Sequence, residues 1–85
     1  MAKYSVFILP SAQKEIARLP KPAQAKLIKV IWTLAENPRP PACKKLIGAD
    51  AWRVRVGEYR IVYSIEDNIL SIEIVRVARR KDVYR

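Results

Sequence analysis

AWRVRVGEYRIVYSI, residues 51–65, decides the fold. Trp52, Val54 and Val56 alternate with charged residues, and Tyr59, Ile61 and Tyr63 alternate after them. This is the period-two pattern of half-buried strands. Gly57-Glu58 interrupts it where a hairpin turns, and glycine at the first central position suits a type II′ turn. A two-residue turn there pairs 56 with 59, 55 with 60, 54 with 61 and 53 with 62. Directly paired residues share a face of the sheet. The valines and Ile61 therefore lie on one face, while Arg53, Arg55 and Arg60 lie together on the other.

The neighbouring segments complete the sheet. Asp67-Asn68 suits a type I′ turn into a third strand at about 69–78, which pairs 66 with 69, 65 with 70 and 62 with 73. The core face then gains Leu70, Ile72 and Ile74, and the arginine face gains Val62, Ser64, Ser71, Glu73, Val75 and Val77. Residues 3–9 read as a short strand stopped by Pro10, with Ser11 expected to cap a helix carrying Ala12, Ile16 and Leu19 inward. Pro22 fits the first turn of a second helix, whose apolar stripe is Ala23, Leu27, Val30, Ile31 and Leu34. Trp32 falls at the edge of that stripe and is expected to pack on the first helix. Trp52 is expected to anchor the core or the sheet end. Asn37-Pro38 closes the second helix, and residues 38–50 read as a loop. The order β-α-α-β-β-β predicts one α+β domain over 1–85, with a mainly antiparallel sheet, both helices on one face and a short C-terminal tail.

Composition narrows the function. Seventeen Lys and Arg oppose eight Asp and Glu, a net charge of +9 on 85 residues, which points to a polyanionic partner. Seven of the nine arginines follow residue 50, and seven of the eight lysines precede it. Arginine offers a planar fork suited to phosphate, while lysine acts as a point charge. The specific site is thus expected in the C-terminal part, with a general positive field ahead of it. The chain has no histidine, which excludes imidazole acid–base chemistry. Cys43 is alone, so no internal disulfide forms, and its thiol is expected to be inert. Neither a secretory signal nor a membrane-spanning stretch is visible, so a soluble cytoplasmic protein is expected.

Like charges directly opposed on a sheet cost up to about 1 kcal/mol. At about 5.5 Å and an effective dielectric near 20, Coulomb repulsion is about 3 kcal/mol. The bland account is a set of solvated arginines, with Arg53 paired to Glu73 across the sheet. Three arginines on one face, with Arg79 and Arg80 close behind, favour an anion that neutralises them. A phosphate between two guanidinium forks does this.

WRVRVGEYRIVYSI, followed by IVRVARRKDVYR, resembles the RelE/ParE superfamily of toxins, and most closely its RelE branch. The likeness spans nearly the whole chain, including both leading helices and the KKLIG loop. The resemblance implies a RelE-like fold and a ribosome-dependent endoribonuclease that cuts mRNA in the A site without metal or other cofactor. There the 2′-hydroxyl attacks the adjacent phosphate. It also implies an acidic RelB-like antitoxin as partner. By position, Arg53 and Arg55 match the two basic residues of the first hairpin strand, Arg60 the arginine of the second, Arg80 the basic residue after the last strand, and Tyr84 the C-terminal tyrosine. Arg55, Arg60, Arg80 and Tyr84 are the expected catalytic set. Arg53, Arg79, Lys44 and Lys45 are the expected RNA contacts. Tyr84 suits either stacking on a nucleotide or docking on the core. Strongly cleaving relatives often carry lysine at the hairpin positions, as a general base. Arginine is a poor substitute, since taking a guanidinium from a pKa of about 13 to near 7 costs about 8 kcal/mol. Weak catalysis is therefore expected, with the 2′-proton passing to solvent, a ribosomal group or Tyr84. Two alternatives remain: a ParE-like inhibitor of DNA gyrase, and an RNA- or antitoxin-binding module with little activity.

Overall fold

The computed structural model describes residues 3–79. Its elements are β1 (Ser5–Ile8), α1 (Pro10–Ala17), α2 (Lys21–Glu36), β2 (Lys44–Lys45), β3 (Trp52–Val56), β4 (Tyr59–Glu66) and β5 (Ser71–Arg79), with a 3₁₀ turn at Asp67–Ile69. The strands form one sheet in the order β1-β5-β4-β3-β2. β1 runs parallel to β5, and the other pairings are antiparallel. The predicted α+β architecture is therefore present, with one added element. Lys44 and Lys45 lie within the stretch read as a loop, yet they pair with Arg53 and Trp52 as a two-residue edge strand.

Both helices cover one face of the sheet. Ala12 and Ile16 of α1, with Leu27, Ile31 and Leu34 of α2, pack against Val54, Ile61, Tyr63, Ile72, Ile74 and Val77. Burying one such aliphatic side chain contributes roughly 1.5–3 kcal/mol. Trp32 does not pack on α1 as expected; it is 64% exposed, because the buried residues of α2 (Leu27, Ile31, Leu34 and Ala35) turn the other side of the helix to the sheet. Trp52 does pack against the core.

The third strand departs from its predicted register. The turn after β4 is a 3₁₀ turn ending at Leu70, which adopts a left-handed conformation at φ 49° and lies exposed. Glu66 therefore pairs with Ser71 rather than with residue 69, and Ile65 with Ile72. A shift of two residues keeps each side chain on its expected face. A second shift does not: the ladder steps from Tyr63↔Ile74 to Val62↔Arg76, leaving Val75 as the extra residue of a bulge. Beyond the bulge the alternation is reversed. Val77, expected on the arginine face, is buried in the core opposite Ile61, and Arg76 takes its place.

The bulge lies where β5 loses its other neighbour. β1 pairs with β5 only from Ser71 to Ile74. An open strand edge carries backbone donors and acceptors that need partners. α1 supplies them in place of a strand. The Leu9 N–H donates to the Ile74 carbonyl at 3.0 Å, Ser11 Oγ donates to the Val75 carbonyl at 3.0 Å, and the Val77 N–H donates to Glu15 Oε1 at 2.8 Å. Ser11 is thus not the helix cap: Leu9 holds that position, Pro10 begins the helix, and the serine hydroxyl is committed to the sheet edge.

Tyr63 ties the interior to the segment after α2. Its side chain is fully buried, and its hydroxyl donates to the Pro38 carbonyl at 2.7 Å. Burial raises the phenol's pKa well above its ordinary value, and the adjacent Cys43 thiol adds to the shift. Tyr63→Phe leaves that carbonyl without its donor, and urea unfolding is expected to show a loss of about 1–3 kcal/mol. An unchanged midpoint contradicts this role.

Candidate nucleic-acid interface

The β3–β4 hairpin has the predicted geometry. Gly57 has φ +60° and Glu58 a negative φ, as a type II′ turn requires. The ladder pairs Val56 with Tyr59, Arg55 with Arg60, Val54 with Ile61 and Arg53 with Val62. The three arginines accordingly share the face away from the helices. β2 extends this face with Lys44 opposite Arg53. β5 extends it with Arg76 opposite Val62 and Ala78 opposite Arg60. Two rows result across the sheet, Lys44–Arg53–Val62–Arg76 and Arg55–Arg60–Ala78. Among the described residues, the acidic side chains of this face, Glu66 and Glu73, lie toward its other end, opposite Ser71 and Ser64. The ladder places Glu73 away from the Arg53 row, so it gives no support to the expected Arg53–Glu73 pairing.

The arginines were expected on an uncovered face, and the structure corrects this. Arg60 is 3% exposed and Arg53 9%, while Arg55 is exposed. Arg60 sits on the central strand between β3 and β5, and Arg53 sits between β2 and β4. β2 has ended before it reaches Arg55, which therefore stands at the rim. Nε and Nη1 of Arg60 are shielded from solvent. A cation so placed interacts with a nearby anion more strongly than one in water.

The remaining expected contacts divide. Lys44 belongs to the arginine face, while Lys45 pairs with Trp52 on the helix side; both are exposed. They line a groove with Leu46, Ile47, Ala49 and Arg53. Arg79 pairs with Tyr59, so the reversed alternation sends it to the face opposite Arg55 and Arg60, and its Nε lies 3.6 Å from the Glu58 carboxylate. Arg80 and Tyr84 lie outside the described residues. Arg76 was not a candidate from sequence, because the bulge that brings it to this face leaves no mark in the hydrophobic pattern.

A cluster on the other side of the sheet steadies the β2 edge. Arg39 donates from Nη1 and Nη2 to the two Asp67 carboxylate oxygens at 3.2 and 2.9 Å, and the Tyr4 hydroxyl donates to Oδ1 at 2.7 Å. The Arg39 guanidinium also lies 5.2 Å above the Trp52 ring, within cation–π range. The segment leading into Lys44 is thereby fastened to the β4–β5 turn. Arg39, followed by Tyr4, lowers the pKa of the Asp67 carboxyl below its ordinary value.

Among the described residues no helix is long and apolar enough to cross a membrane. A two-helix layer over a five-stranded, mostly antiparallel sheet, with a cationic opposite face, defines a small α+β fold shared with solved structures. A chain of the toxin–antitoxin complex RelBE2 from Mycobacterium tuberculosis superposes with a TM-score of 0.83 at 27% identity, covering 92% of this chain and 99% of that one. The archaeal RelE–RelB complex from Pyrococcus horikoshii OT3 gives 0.84 at 28% identity, covering 94% and 98%. In sequence, the chain is 34% identical to Toxin RelE of Mycobacterium tuberculosis, over 96% of this chain and 87% of that protein. It is 29% identical to Toxin RelG of the same organism, over 96% and 97%. The family model of the ParE toxin of the type II toxin–antitoxin system parDE matches residues 6–84. The chain belongs to the RelE/ParE superfamily, as a RelE-family toxin of the type II toxin–antitoxin class.

The Asp67 cluster yields a pH prediction. A carboxyl whose folded pKa is depressed contributes stability above its unfolded value of about 3.9 and loses it as pH falls through the folded value. Asp67→Asn is expected to lower the melting temperature at neutral pH, with the difference from the parent closing below about pH 4. A difference that persists unchanged in acid contradicts the assignment.

Proposed function

We propose that this protein is a ribosome-dependent, metal-independent endoribonuclease that cleaves mRNA in the decoding site. The observation that carries this reading is the Arg55–Arg60 pair, two cations set opposite each other on one face, one exposed and one buried. In the proposed reaction the 2′-hydroxyl attacks the neighbouring phosphorus. The bond from phosphorus to the 5′-oxygen breaks, leaving a 2′,3′-cyclic phosphate and a 5′-hydroxyl. The 2′-proton leaves to solvent, a ribosomal group or Tyr84, and the 5′-oxygen takes up a proton in turn.

Arg60 supplies fixed donors in a site shielded from water, where they act on charge as it builds on the phosphate oxygens. Arg55, at the rim, grips the incoming phosphate through its fork. Arg53 and Lys44 hold the flanking backbone, with Lys45 at the edge. Arg80 adds a further cation, and Tyr84 offers a ring for stacking. Arg79, paired with Glu58 on the other face, contributes to the general field. A guanidinium stays protonated and is no base, so catalysis rests on positioning and electrostatics and is slow. The +9 charge suits an acidic antitoxin, and relatives are known in complexes with RelB. This activity places the protein in the cytoplasm, with ribosomes and mRNA.

The ParE name of the matching family favours one second reading, inhibition of DNA gyrase. Expression in cells separates the two. Primer extension on translated mRNA is expected to show cuts within codons that vanish without ribosomes. Arg55→Ala is expected to lower cleavage by about 10–10²-fold, as for loss of one charge-assisted contact to the phosphate. Its exposed position leaves the fold intact. An Arg55→Ala/Arg60→Ala double variant that cleaves like the parent contradicts the proposal. Linearised DNA with intact mRNA selects gyrase instead.

A further inference from the structure

We infer that Arg76 is an additional phosphate contact of this face, oriented by Glu15 of α1; the inference rests on the RNA-cleavage reading. Strict alternation along β5 would turn residue 76 toward the helices. The bulge at Val75 turns it instead to the arginine face, opposite Val62. Arg76 thus ends the row that begins at Lys44 and passes Arg53. From β2 to β5 the row crosses three strand spacings, about 14 Å, enough for a few nucleotides of extended backbone running across the strands. The Arg55–Arg60 row lies beside it, so phosphates flanking the scissile one fall along Lys44, Arg53 and Arg76.

Glu15 sets the guanidinium in place. Its Oε1 accepts the Val77 N–H at 2.8 Å, and its Oε2 accepts Nε and Nη2 of Arg76 at 3.3 and 3.1 Å. The carboxylate is therefore anchored by backbone before it meets the arginine. Arg76 and Glu15 remain 44% and 24% exposed. An ion pair this open to water is weak, so a phosphate competes for the arginine or joins it. The pair also braces α1 on the sheet edge, and RNA affinity is the property that a brace alone does not control.

The experiment uses the full chain and a short fluorescent 2′-O-methyl oligoribonucleotide, which has no nucleophilic 2′-hydroxyl. Binding is followed by anisotropy over a salt series for the parent, Arg76→Gln, Glu15→Gln, the double variant and Arg55→Ala, with a thermal melt of each. Arg76→Gln is expected to bind several-fold more weakly, with the log–log salt slope shallower by about 0.7, the value for one phosphate contact on a single strand. Glu15→Gln is expected to bind more tightly, and that gain to vanish in the double variant. If Arg76→Gln keeps the parent's affinity and slope, whatever its melting temperature, while Arg55→Ala binds weakly, Arg76 is only a brace and the inference is overturned. If Arg55→Ala also binds like the parent, the RNA-binding face itself is refuted, and the inference with it.

Discussion

The register of the β3–β4 hairpin, which sets Arg55 opposite Arg60, positions the rest of the cationic face. A II′ turn at Gly57 fixes the hairpin register, and a slip of one residue would turn one strand's arginines to the core side. The register is held by Val54, Ile61 and Tyr63, which have to face α1 and α2. Hydrophobic burial on one face thus sets Arg55 opposite Arg60 on the other.

Strand order grades the cationic face. The arginine on the central strand is withdrawn from water, and the one beyond the end of β2 stays at the rim. In the proposed reaction the first acts on developing charge and the second captures the phosphate. α1 contributes from the side by completing the open edge of β5 through Ser11 and Glu15. The same helix closes the sheet edge, fills the core with Ala12 and Ile16, and orients a cation at the end of the face.

The hairpin was readable because its glycine and its alternation agree, and both helices because proline and apolar spacing mark them. Three features were not readable. The β4–β5 connection was misread because Asp67-Asn68 has the composition of a tight turn, whereas Leu70, with no sequence cue, takes the left-handed position. The bulge is invisible because Ile74, Val75 and Val77 are all β-branched and apolar, so alternation does not reveal where parity changes. Its consequence is large: Val77 moves into the core, Arg79 moves away from the arginine face, and Arg76 moves onto it. The Arg39–Asp67–Tyr4 cluster joins residues remote in sequence, and nothing in their local context predicts it.

In the proposed reaction a phosphate binds at the Arg55–Arg60 pair. The most direct measurement is the melting temperature of the parent and of Arg55→Gln in inorganic phosphate and in chloride at equal ionic strength. Phosphate is expected to raise the parent's melting temperature more than chloride does, and this difference to disappear largely in Arg55→Gln. An equal phosphate effect in both proteins would contradict it.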